Sequence, residues 1–66
     1  MTREEAAQLR PLDLIYVKFG SVGKQTARVL ETMTAGGRIP VKKLRANSGS
    51  WTNRTTVVPA QIIRRL

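Results

Sequence analysis

Eight residues are candidates for chemistry: Lys18, Arg28, Lys42, Lys43, Arg45 and Arg54 supply cations, and Tyr16 and Trp51 supply flat rings. Cationic heads spaced along a short chain suit phosphate oxygens. A ring set among them suits a nucleobase, where stacking is worth about 1 to 3 kcal/mol per base in single-stranded complexes. The stretch KKLRANSGSWTNR, residues 42 to 54, holds four of these cations, the chain's only tryptophan and no acid. Ser48, Ser50, Thr52, Asn53 and the Gly49 N–H are neutral donors that could join in phosphate contact. A lone tryptophan in a small domain also closes cores, its indole covering apolar surface while its N–H reaches water. Trp51 is therefore read equally as lid and as contact. Tyr16, on the outward phase of its segment, leans toward contact.

Other chemistry is scarce. The chain has no His and no Cys, which removes Cys/His metal sites, disulfides and a Cys or His nucleophile. Of the four carboxylates, Glu4 and Glu5 suit the first turn of a helix, Asp13 sits in the loop before the first strand and Glu31 lies on the second, so no pair is placed for acid–base work. The expectation is no catalytic residue, no metal, no cofactor and no enzyme. GSVGKQT contains the Gly-Lys of a phosphate-binding loop. It has Lys18 where the first Gly belongs, Gln25 where Ser or Thr belongs, and a strand pattern where the helix belongs. NRT at 53 to 55 fits a glycosylation sequon by chance and receives no role.

Charge is the strongest compositional signal, +8 on 66 residues. From Arg38 onward the chain carries +7 with no acid, whereas residues 1 to 37 carry +1. Net charge near this magnitude also serves solubility, but a lopsided field attracts polyanions, nucleic acid first. The opening residues carry Arg3, Glu4, Glu5 and Arg10 without an apolar segment, and no apolar run reaches membrane-spanning length. A cytoplasmic setting, with nucleoid association as one form of it, and no membrane partner are expected.

The elements that must position these side chains follow from local pattern. TREE is a capping box, Thr2 with Glu5, opening a short helix from about Arg3 to Leu9 that Pro11 stops and that Ala6 and Leu9 must anchor. LIYVKF alternates Ile15, Val17 and Phe19 against Leu14, Tyr16 and Lys18, a strand with one face in the core. GSVG turns the chain, and KQTARVLETM sets Ala27, Val29 and Met33 against Thr26, Arg28 and Thr32 as a second strand, ended by TAGGR. IPVKKLRA begins in phase at Ile39 and Val41 and shifts at Leu44 and Ala46, which predicts a bulge or sharp bend near Lys42 and Lys43; Pro40 moves this strand toward an edge. NSGS makes the next turn, WTNRTTVV forms strand four, and PAQIIRRL gives one helical turn from Pro59 and a fifth strand over residues 62 to 66. Ile15, Val17, Val29, Ile39, Val41, Val57 and Ile63 are the expected core. Lys18, Arg28, Lys42 and Arg54 should then project outward as a stripe, with Lys43 and Arg45 at the bend.

The order of four meandering strands, a single tight turn and a fifth short strand over Leu12 to Leu66 resembles the SH3-like barrel group. Within it, DLIYVKFGSVGKQTARVLE is loosely similar to the opening of KOW, Tudor and integrase C-terminal modules. The resemblance implies one small five-stranded barrel over residues 12 to 66, mainly β, with the short helix and linker of residues 1 to 11 before it. The expected role is a small basic protein that grips the phosphate backbone of nucleic acid through a Lys/Arg face. DNA ranks ahead of RNA, largely without sequence preference, as in phage or mobile-element accessory factors. The alternative is a protein-interaction adaptor or inhibitor. It would dock an acidic partner on Trp51, Leu30 and Leu44, or self-associate through the Pro40 strand as a small homo-oligomer.

Overall fold

The computed structural model describes residues 1–20, 23–45 and 48–66. The turns expected at 20–23 and 47–50, and the phase shift at Ala46, lie partly outside these described residues. The chain folds mainly as β structure, with five antiparallel strands in one sheet, a short N-terminal helix and a 3-10 turn before the last strand.

The capping box forms as its spacing requires. Thr2 Oγ1 accepts from the Glu5 N–H at 3.2 Å, and Glu5 Oε1 accepts from the Thr2 N–H at 3.0 Å. Helix α1 covers Arg3–Ala6, shorter than expected. Its continuation tightens into three-residue turns, with the Gln8 N–H donating to Glu5 O and the Leu9 N–H to Ala6 O, each at 3.1 Å. Ala6 and Leu9 are buried in the core. Two polar ties hold this segment to the sheet and its loops: Arg3 Nη2 donates to Ala35 O, and the Met1 ammonium donates to Ile62 O, both at 2.8 Å.

Strands β1 (Leu14–Phe19), β2 (Gly23–Val29), β3 (Ile39–Lys43), β4 (Thr55–Val57) and β5 (Ile62–Arg65) lie in the order β4-β3-β2-β1-β5. Alternation along β1 and β2 buries Ile15, Val17, Ala27 and Val29, to which β3, β4 and β5 add Ile39, Val41, Val57 and Ile62. Phe19, Met1 and Met33 pack against this cluster from its margins. Pro59 opens the 3-10 turn Pro59–Gln61, whose Gln61 Oε1 accepts from the Val58 N–H at 3.0 Å. No helix among the described residues is long and apolar enough to cross a membrane.

Four expectations are corrected. First, the Pro40 strand is internal, with β4 on one side and β2 on the other. Proline is tolerated there because Pro40 lies at the end of the β2 ladder: Leu30 N–H donates to Pro40 O at 2.8 Å, and only the return bond is lost. Second, β3 stays in register with β2 through Lys43. The extra residue falls on the opposite side, since three steps from Val41 to Leu44 face four steps from Thr55 to Trp51. Third, strand four shrinks to Thr55–Val57, with Trp51 joined to Leu44 by an isolated bridge. Fourth, Ile62 is 1% exposed and Ile63 is 43% exposed, reversing the expected core assignment. The pairing of β1 with β5 slips by one residue between Tyr16 and Val17, which brings Ile62 opposite buried Val17.

Candidate nucleic-acid interface

Residues paired across antiparallel strands project to the same side of a sheet, so the register alone sorts the outward side chains into rows. One row runs from Leu14 to Arg28 and Lys42, with Leu66 beside Leu14 through a 2.9 Å backbone hydrogen bond. The next runs Arg64, Tyr16, Thr26, Leu44 and Trp51. Thr26 and Leu44 are joined there by a 2.9 Å backbone bond. A third pairs Lys18 with Lys24. The two rings thus share one row with Thr26 and Leu44 between them, and cations flank it on both sides.

The Arg28 guanidinium crosses β3 to lie over the Trp51 ring, 4.7 Å from its centroid. Its Nε is buried without a protein acceptor among the described residues, so stacking, not a carboxylate, holds the group. Trp51 is half-buried, partly covered by Arg28 and partly open. Tyr16 is likewise half-buried, and Lys18 and Lys42 are exposed.

Lys43 departs from the expected stripe. It pairs with Ala27, whose side chain is buried, so it shares the core-facing side of β3, and its Nζ lies 4.8 Å from the Phe19 ring centroid. The physical reason is the unbroken phase of Ile39, Val41 and Lys43; the outward turn expected at a bulge does not occur in β3. Arg45 is exposed just past the strand. Its backbone closes the hairpin, donating to Ser50 O at 2.7 Å and accepting from the Gly49 N–H at 2.9 Å. Gly49 therefore has no N–H to offer a phosphate. The hydroxyls of Ser48 and Ser50 bond each other at 2.7 Å, and Thr52 Oγ1 accepts from the Lys43 N–H at 3.0 Å.

Carboxylates are confined to the margins. Arg54, at the extra-residue position opposite Lys42, pairs with Glu31, both side chains more than half exposed. Such an exposed pair is worth no more than about 1 kcal/mol and yields readily to another anion. Asp13 pairs with Arg65 at 3.5 Å and caps the Arg10 N–H at 2.9 Å. The hydrogen bond from the Thr2 backbone, then that from its side chain, holds the Glu5 carboxyl below its ordinary value. No group of three potential metal ligands assembles among the described residues.

Lys24 and Arg64 also belong to this face, beyond the residues expected from sequence. Lys24 was within reach, being in phase with Thr26 and Arg28. Arg64 was not, because its side depends on the slip between β1 and β5. No protein-family model matches the chain, and no curated protein or solved structure matches it.

Proposed function

We propose that this sheet face binds nucleic acid through the phosphate backbone, largely without reading sequence. The observation that carries the reading is a pair of cross-strand contacts: Lys18 stands directly opposite Lys24, and Arg28 directly opposite Lys42. Like charges in that position destabilise a sheet. None of the four has a carboxylate partner among the described residues. A polyanion turns this repulsion into attraction, releasing one set of counterions for each phosphate neutralised. The cations and hydroxyls of the outward rows suit either sugar–phosphate backbone, and DNA is the partner proposed. The SH3-like likeness belongs to the same proposal; fold alone carries no function, and the reading rests on the face.

The test is fluorescence anisotropy with mixed-sequence DNA over a salt series. Binding should weaken with salt at a log–log slope of about −0.9 per phosphate contact on duplex and about −0.7 on a single strand. Absence of binding at low salt would remove the reading.

A second reading, a protein-interaction adaptor, is favoured by exposed apolar side chains near the β5 edge. Leu14 is 37% and Leu66 54% exposed, and they adjoin across the β1–β5 ladder. Material that co-purifies decides between the two: nuclease-sensitive nucleic acid supports the first, and an acidic protein retained after nuclease treatment supports the second.

A further inference from the structure

We infer that the ligand of this face is an unpaired strand, with bases stacked along the row of Tyr16 and Trp51 and phosphates held by the cations on either side. The inference rests on the nucleic-acid reading above and specifies its substrate class. It comes from the order of the rows, not from net charge. Beyond Arg64 at its β5 end, the central row from Tyr16 through Thr26 and Leu44 to Trp51 bears no charge, and a ring stands at each end of that uncharged stretch. Arg28 and Lys42 border it on one side, and Lys18 and Lys24 on the other.

A duplex presents phosphates outward and hides its base faces, so it would meet such a row with nothing to stack on it. An uninterrupted basic face would serve a duplex better. An unpaired strand has both halves of the chemistry: π-faces for the rings and a phosphate for each flanking cation. The Arg28 guanidinium covers one face of Trp51, and its own plane can accept a stacked base in turn. Tyr16 and Trp51 lie three strand spacings apart, about 14 Å. That is about four times the 3.4 Å step between stacked bases in a duplex strand, so a strand touching both rings spans at most about four such steps between them. Stacking is tolerant of base identity, which agrees with binding largely without sequence preference.

The decisive experiment compares oligothymidylate, oligouridylate and a mixed-sequence DNA duplex of equal charge at one low salt concentration, with Trp51 emission as a second signal. The single strands should bind about tenfold or more tighter than the duplex and quench Trp51. Tyr16→Leu and Trp51→Leu should each weaken single-strand binding roughly 5- to 100-fold without changing duplex affinity. Tyr16→Leu keeps apolar bulk on an outward position, so it remains informative if the tryptophan variant fails to fold. Equal affinity for duplex and single strands, or a Tyr16→Leu protein that binds single strands as well as the parent, would overturn the inference while leaving the phosphate-binding reading standing. Failure of every probe to bind would remove both. The ratio of oligothymidylate to oligouridylate affinity separates DNA from RNA as the source of the strand.

Discussion

The Arg28 guanidinium rests 4.7 Å above the Trp51 ring, tying β2 to the hairpin beyond β3 without a hydrogen bond to a carboxylate. Arg28→Ala should lower stability by about 1 kcal/mol, the size of a partly covered cation–π contact, and change Trp51 emission. Arg28→Lys should restore the charge but not the planar stack, leaving the emission change in place. Urea unfolding followed by fluorescence and by circular dichroism checks both.

The opposed pair Lys18 and Lys24 predicts opposite effects on folding and binding. Lys24→Gln should leave stability unchanged or slightly raised, because it removes a like-charge contact. It should also reduce the salt slope of DNA binding by about 0.7 to 0.9, one phosphate contact. A loss of stability would show that Lys24 packs on the sheet in a way its charge does not explain.

Neighbouring isoleucines give the sharpest test of register. Ile62→Ala removes a side chain that is 1% exposed and should cost about 2 to 5 kcal/mol, enough to unfold much of so small a domain. Ile63→Ala, at a position 43% exposed, should cost under about 1 kcal/mol. Denaturant midpoints of the two variants decide the matter.

Leu12 holds a left-handed backbone conformation, φ 77°, while its side chain is 74% exposed. A branched-chain residue there costs roughly 1 to 2 kcal/mol that asparagine largely avoids. Leu12→Asn should therefore raise the thermal midpoint. A fall would mean that the exposed leucine contributes packing worth more than the strain.

Acid should loosen α1 before the sheet. Hydrogen bonds from Thr2 lower the Glu5 pKa in the folded state, so their stabilising contribution is present above the ordinary value of 4.5 and is lost as pH falls through the lower folded value. An NMR titration should find the Glu5 midpoint below 4.5 in the parent and nearer to it in Thr2→Ala.

Much of this architecture was legible in residue order because the signals were local. A capping box, two clean period-two strands and a proline at the first position of a turn each act within a few residues. What escaped depended on partners distant in sequence. The choice between Ile62 and Ile63 turns on a slip against β1, and the side taken by Lys43 turns on β3 keeping register with β2. A proline that cannot donate argues for an edge position, yet the donor missing at Pro40 falls where β2 has already ended. The candidate face was visible as charge, but its division into rows exists only once the strands are aligned.

The pairing of β1 with β5 joins Ile15 to Arg65 across nearly the whole chain. During synthesis, β1 must therefore wait with one edge unpaired until the final strand is made, the kind of long-range closure that slows folding. A chain released before Ile62 would not be a smaller version of the protein. It would lack the residue that seals the core beside Val17 and would present an open strand edge to other chains, making premature termination a route to aggregation.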